Sequence, residues 1–389
     1  MLDVAKTSKC NGCHACFSIC PVGAISMNSD NNEFLRPIID YSKCTHCGKC
    51  ESVCPVLHTP KLPETDPPAF ACKNINEEIR LKSSSGGIFT VLAENIIRQG
   101  GVVFGARFDK DFSVIHDWTE TIEGLGAFRG SKYVQSKIGS KFIDCKKFLE
   151  EGRCVLFSGT PCQIGGLKSY LGIEYNLLYT VDIICHGVPS PLLWRKYLVY
   201  HTQKAGSSVQ NISFRNKDNG WKKFSLSIQF AETCYNMVVN QDPFMKFFSR
   251  HLCLRSSCHC CVYKNVRRVS DFTLADFWGI QNISAKFDDD KGVSLLLLHN
   301  NKAIEKFDYV KKNMFIESVP LQLAVQKNPF VCSSVKPSRF YKMCCYDISK
   351  HDFIYLHEKY FNDKYFYKLF ILFSWYIKKI FIGKRLKSE

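Results

Sequence analysis

Cys10-Asn-Gly-Cys13-His-Ala-Cys16-Phe-Ser-Ile-Cys20-Pro21 has a counterpart in Cys44-Thr-His-Cys47-Gly-Lys-Cys50-Glu-Ser-Val-Cys54-Pro55. Both follow the Cys-x2-Cys-x2-Cys-x3-Cys-Pro spacing of a two-cluster iron–sulfur module. Three thiolates two residues apart wrap three corners of a [4Fe–4S] cubane on one tight loop, and the fourth turns away to ligate the other cluster. The spacing therefore predicts one cluster on Cys10, Cys13, Cys16 and Cys54 and another on Cys44, Cys47, Cys50 and Cys20. Zinc sites need only four ligands in paired spacing, and disulfide frameworks belong to secreted chains. A doubled run with both prolines argues against each. The chain carries electrons.

Outward from this run, residues 23–40 alternate at their ends around Asp30-Asn31-Asn32, which reads as a β-hairpin beside the clusters. Ile25, Ile38 and Ile39 are expected to shield the cubanes from water. The stretch Thr59-Pro-Lys-Leu-Pro-Glu-Thr-Asp-Pro-Pro68 is a proline-rich boundary. The module leaves most of the 389 residues for a larger core. Twenty-one cysteines, and no apolar export leader in Met1–Lys6, point to a reducing cytosol. The formal charge is +16, and three clusters at about −2 each would leave roughly +10. Such a balance favours an acidic partner: an electron carrier, an anionic membrane surface or a phosphorylated ligand. Nucleic acid is not expected, since the lysines are scattered and no binding motif is present.

Beyond residue 70 strand-like and helix-like runs alternate. Residues 85–99 and 138–151 have helical spacing, Thr160-Pro161 is a helix start, and residues 189–202 form another helix. Residues 102–108, 113–116, 154–157, 181–185 and 292–298 read as strands, with antiparallel strands near 212–214, 224–230 and 237–239. The predicted fold is α+β or α/β: a small dicluster ferredoxin module followed by an α/β domain with a mixed sheet.

Several short motifs lie at the joints of these elements. Lys82-Ser-Ser-Ser-Gly-Gly87 opens a helix, where free amides and glycines suit a phosphate, although a serine-capped buried helix reads the same way. Arg129-Gly-Ser-Lys-Tyr-Val-Gln-Ser136 suits a diphosphate or a solvated basic turn. Ser158-Gly-Thr-Pro-Cys-Gln-Ile-Gly-Gly166 holds Cys162 at a helix start, where the dipole is expected to favour its thiolate. Cys185-His-Gly187 ends the next strand at the equivalent edge, where ligands collect. Cys258 and Cys261 have a two-residue gap, and with Cys162 and Cys185 they would make a third four-thiolate set. Zinc on Cys253, Cys258, His259 and Cys261 is the rival, and Cys253 or Cys260 could replace a ligand.

Ser85-Gly-Gly87, Gly130-Ser-Lys-Tyr133, Thr160-Pro-Cys-Gln163, Cys185-His-Gly187 and Cys258-x2-Cys261 followed by Leu274-Ala-Asp-Phe-Trp-Gly279 resemble, in this order, the beta subunit of coenzyme F420 hydrogenases and dehydrogenases. The resemblance spans about residues 80 to 345, with a ferredoxin module fused in front. It implies FAD and an internal [4Fe–4S] cluster on Cys162, Cys185, Cys258 and Cys261. It also implies cofactor contacts at Ser84, Ser85, Gly86, Gly87, Arg129, Gly130, Ser131, Lys132 and Thr160. The expected division is residues 1–58 for the ferredoxin domain, 59–70 for a linker, 71–150 for the flavin-binding part, 151–345 for the third-cluster part and 346–389 for an aromatic, basic tail.

In residues 359–389, Lys364, Lys368 and Lys378 would share a helical stripe opposite Trp375 and Tyr376. This reads as an interfacial membrane helix at the inner face or as a helix docked on protein, including a second copy of the chain. The expected activity is oxidoreduction: a ferredoxin-like donor loads the clusters, and FAD reduces a small organic substrate, with polysaccharide assembly as the guess for its setting. The alternative is a relay subunit that passes electrons to a partner enzyme. His186 and Asp276 are proton-donor candidates by position, although a structural role is the favoured reading for each. A catalytic residue is not identified.

Overall fold

The computed structural model describes residues 8–362. Strands β1 (Ile25–Ser29) and β2 (Leu35–Ile39) pair antiparallel. Asp30 makes the turn: its Oδ1 accepts from the amides of Asn32 and Phe34, and its Oδ2 from Arg36 Nε. The expected hairpin is there, but the expected shield needs correcting. Ile25 pairs with Ile39 and both pack on the cysteines, whereas Ile38 is 52% exposed. Neighbours in a strand point to opposite faces, so only one of the two adjacent isoleucines turns inward.

After the linker come β3 (Ala69–Asn74), β4 (Val102–Phe108), β5 (Val114–Thr119), β6 (Val155–Ser158) and β7 (Leu178–Ile183). Next are β8 (Asn211–Asn216), β9 (Ser225–Gln229) and β10 (Cys234–Val238), then β11 (Phe272–Asp276), β12 (Ser294–Leu298) and β13 (Met314–Val319). Strand β3 thus begins within the last residues of the expected linker. One eight-stranded sheet has the order β13-β3-β12-β11-β7-β6-β4-β5. Its centre, β11, β7, β6 and β4, is parallel, and its flanks are antiparallel. The mixed sheet is as the sequence predicts, and the parallel centre explains the unbroken apolar runs, since both faces are covered.

The helix Ile88–Arg98 buries Ile88, Leu92 and Ile96 on the face that carries Val103 and Leu156. The helices Lys141–Glu150 and Pro161–Leu171 cover the opposite face, against Phe104, Val155 and Phe157. A separate antiparallel sheet of β8, β9 and β10 packs with the helices Pro191–Ala205, Pro243–Ser249 and Phe353–Phe361 around Trp194, Tyr197, Phe214 and Phe244. Two helices, Tyr341–Lys350 and Phe353–Phe361, therefore take up the first part of the expected tail. The lysine stripe at 364, 368 and 378 lies outside the described residues. Among the described residues no helix is long and apolar enough to cross a membrane.

The helix expected from residue 85 starts at Ile88, with Gly87 as its N-cap. Residues 85 and 86 are stitched to the sheet instead. Ser85 Oγ donates to the Val293 carbonyl, Gly86 N to Ser294 Oγ, and the Gly86 carbonyl accepts from Asn74 N. A Cβ on Gly86 would lie 2.3 Å from the Cys72 carbonyl oxygen and 2.7 Å from Ser294 N, both backbone atoms. Gly86→Ala is therefore expected to lower stability by about 1–3 kcal/mol through overpacking. Denaturant unfolding checks this, and an unchanged midpoint would show that the β3–β12 edge yields.

Candidate functional site

Both thiol runs curl alike. Gly12 and His14 have φ of +65° and +67°, and His46 and Gly48, at the same offsets in the second run, have +54° and +73°. Left-handed residues two and four places after the first cysteine bend each loop around a centre. Cys10 and Cys54 are buried, with Cys13 and Cys16 partly so. Burial pushes the Cys16 thiol up to about 12, with the fields of Cys10 and Cys54 adding to it. Cys13 is raised by burial, then by Cys16, with Cys10 and Cys54 contributing. Cys10, Cys13, Cys16 and Cys54 are thus mutual neighbours. Cys50 is raised by burial and feels Cys44, while Cys20 packs with Cys50 and Cys16 around Ile25.

A second thiol group forms at the sheet's edge. Strands β6 and β7 are parallel neighbours, so their chains leave at the same end. Cys162 follows β6 in the first turn of Pro161–Leu171, behind a capping box of Thr160 and Gln163, and Cys185 follows β7. Cys258 and Cys261 come from the short helical turn at Ser256–Cys260 and its exit. All four line one cavity, together with Thr160, His186, Tyr263 and Arg255. The Cys162 thiol is raised by burial and by Cys261 and Cys185, and Cys258 by burial and the other three. The lowering expected from the helix dipole at Cys162 is outweighed, because the thiol is desolvated among other thiols.

The rival zinc set does not converge. Cys253 sits in the apolar core with Cys344, and His259 Nδ1 bonds to the Val335 carbonyl at 2.9 Å while its ring meets Tyr341 edge-on. Neither lines the cavity, and Cys260 is exposed. Among the described residues no three His, Cys, Asp or Glu side chains meet at a single-ion position. The thiols surround a space instead. Two groups beside it fit an anionic cluster: buried Tyr263 Oη has no hydrogen-bond partner among the described residues, and half-buried Lys264 donates to the Cys185 carbonyl.

The two thiol groups adjoin. A Cβ on Gly166 would stand 2.9 Å from Cys13 Cβ and 3.0 Å from its Sγ, and one on Gly165 would overlap the Tyr263 hydroxyl. The glycine pair that ends the Cys162 motif is therefore where the N-terminal loop and Tyr263 press onto the helix.

The expected flavin residues meet around a residue that the sequence reading missed. Ser131 donates from both N and Oγ to Ser84 Oγ, at 2.6 and 2.9 Å, joining the two glycine-bearing loops. Buried Arg215 binds Asp276 through Nη1 and Nη2 at 2.7 and 3.0 Å, and donates to the Ser84 carbonyl and Tyr133 Oη. Lys217 Nζ donates to the carbonyls of Arg80, Ser85 and Lys291. The sequence carries no signal for Arg215, since Ile212-Ser-Phe-Arg215 alternates regularly; in the structure Phe214 and Arg215 are both buried, beside a register shift in β8. Trp221 Nε1 also donates to Asp276, so this carboxylate is engaged as an acceptor and not free to give a proton. His186 is pushed down to about 3 by burial, with His251 contributing, and is packed between Phe248 and Phe330, which makes it a neutral wall of the cavity.

Other expected contacts are spent internally. Lys132 Nζ donates to the carbonyls of Ala127 and Arg129, and desolvation pulls it down to about 7. Ser85 and Gly86 are bonded to β12 and the residue before it, as described. Among the described residues the Arg129 side chain donates only through Nε, to Thr90 Oγ1, the Gly87 helix start has no side-chain cap, and a Cβ at Gly130 would meet open space.

A second cavity, of about 640 Å³, lies between the hairpin module and the helix Pro191–Ala205. Gly12 and His14 line it, together with Phe112, Trp194, Lys137 and Arg195. This is a size common for small-molecule sites. It touches both residues flanking Cys13.

Residues 9–57 match the 4Fe-4S dicluster domain model, and residues 152–323 match that of the coenzyme F420 hydrogenase/dehydrogenase beta subunit, C terminus. No curated protein matches the chain. Among solved structures, a chain of the F420-reducing [NiFe] hydrogenase complex from Methanosarcina barkeri is similar, with 18% identity, 74% of this chain and 90% of that chain covered, and a TM-score of 0.46. Residues 152–323 thus belong to the coenzyme F420 hydrogenase/dehydrogenase beta-subunit family, and with the dicluster domain before them the chain is an iron–sulfur oxidoreductase protein of electron transfer.

Proposed function

We propose that the protein is an iron–sulfur flavoprotein that converts single electrons into two-electron reductions of an organic substrate. Its N-terminal cubanes are held by Cys10, Cys13, Cys16 and Cys54 and by Cys44, Cys47, Cys50 and Cys20, and a third by Cys162, Cys185, Cys258 and Cys261. The observation that carries this reading is the ring of four thiols around one cavity, pressed at Gly166 against Cys13. Thiols whose burial makes them costly to ionise alone suit a cationic iron core, which binds the thiolate form.

FAD would supply the step from one electron to two, since a flavin stores two electrons and cubanes pass one. The residues that support its diphosphate are Arg129, Gly130 and Ser131, with Ser84 and the uncapped helix start at Gly87. Ser85, Gly86 and Lys132 act as framework in this reading, because they bond to the sheet and to local carbonyls, whereas the Ser84 and Ser131 hydroxyls bond to each other between the two loops. Arg215 and Lys217 hold the Ser84–Ser85 segment in place by its carbonyls. The donor is an acidic one-electron carrier such as a ferredoxin, in keeping with the basic charge of the chain.

Anaerobically purified protein is expected to hold about twelve irons per chain; eight irons with one zinc would reject the third cluster. Cys162→Ala should remove one cluster and leave the N-terminal pair unchanged by EPR. Arg129→Ala is expected to cut flavin retention about tenfold, the scale of a charge-assisted hydrogen bond. Flavin absorbance after desalting measures this, and wild-type retention would sink the assignment. Protein that reduces no small acceptor until a partner enzyme is added would favour the relay reading.

A further inference from the structure

Arg255 stands between the two thiol groups and is 1% exposed. Its Nε donates to the Cys10 carbonyl at 2.9 Å, Nη2 to the Leu35 carbonyl at 2.8 Å, and Nη1 to Gln135 Oε1 at 3.0 Å. Nη2 also lies 3.9 Å from Cys10 Sγ. The same side chain lines the cavity of Cys162, Cys185, Cys258 and Cys261. A Cβ on Gly12 would come within 2.9 Å of Nη1 and 3.0 Å of Nη2, so the glycine between Cys10 and Cys13 gives the guanidinium its room.

Among the described residues these polar contacts are two carbonyls, an amide oxygen and a thiol, with no carboxylate among them. A fully buried cation is costly unless an anion balances it. We propose that the balancing anion is the iron–sulfur cluster at Cys10, and that Arg255 is a positioning residue that raises the reduction potential of this cluster over that at Cys44. The inference rests on the ligand sets proposed above. On reduction a cubane with four thiolates takes one electron from the external donor, and its charge goes from about −2 to −3 with no proton or leaving group moved. A fixed positive charge and an N–H aimed at sulfur both favour the more negative state. Electrons entering at the exposed Cys47 end are thereby drawn inward.

EPR-monitored redox titration of the full chain, loaded with iron and sulfide, tests this in wild type, Arg255→Gln and Arg255→Lys. The Cys44 cluster, identified through Cys47→Ala, is the internal reference. Arg255→Gln is expected to make the Cys10 cluster at least tenfold harder to reduce, a shift of 59 mV for one electron. Arg255→Lys should recover most of this shift, and the Cys44 cluster should not move. A wild-type midpoint in Arg255→Gln, or an equal shift of every cluster, overturns the proposal. Where the Gln variant does not keep its iron, the Lys variant decides: retained iron and a near-wild-type midpoint support charge balance, and loss of iron in both overturns it. Wild type with eight irons removes the third cluster but leaves the Cys10 comparison intact, so the two readings fail separately.

Discussion

The contact of the first thiol loop with the helix Pro161–Leu171 is the constraint on which the rest depends. Cys13 meets that helix at Gly166, where even a methyl group would collide with its sulfur. The approach places a loop built from local spacing against a site built from distant strand ends. It also buries Arg255 and Tyr263 between them. Bonds from Arg255 to Cys10 and Leu35, from Gln135 to Asn11 and from Arg195 to Glu33 hold the module on the same domain.

A parallel sheet centre makes the second thiol group geometrically natural. Chains leaving β6 and β7 emerge side by side, so Cys162 and Cys185 are neighbours although a helix and a strand separate them in sequence. The loop carrying Cys258 and Cys261 is then anchored from outside, by Arg255 N bonding the Val188 carbonyl and by Ser334 Oγ accepting from Cys261 N. At the same edge of the sheet, where β11 ends beside β7, Arg215 ties together three sequence motifs through the Ser84 carbonyl, Tyr133 and Asp276. This bidentate ion pair is buried, so removing either partner would strand the other charge.

What the sequence shows plainly is what local spacing encodes: the two cysteine runs, the Asp30 hairpin, and the capping box before Cys162. The mixed sheet followed from alternating apolar runs and short helical stretches. The buried cations were hidden for a physical reason. Arg215 and Arg255 take their partners from residues far along the chain, and nothing in their own neighbourhoods in the sequence marks them. Gly86 was read as room for a ligand, when its bareness serves the close approach of two strands. Cys253 and Cys258 look equivalent in sequence, and only the fold turns one into the core and the other toward the cavity.

The wide separation of Cys162 and Cys185 from Cys258 and Cys261 has a consequence for how the protein matures. Bringing them together closes loops of roughly 70 to 100 residues, which carries a larger entropic cost than the short loops of the N-terminal run. The pairing of β11 with β7, and of β12 and β13 with β3, is what brings the second half of the chain back to the first. Bringing the four inner thiols together is thus tied to completion of the whole sheet, while the two N-terminal cysteine runs lie close together in sequence.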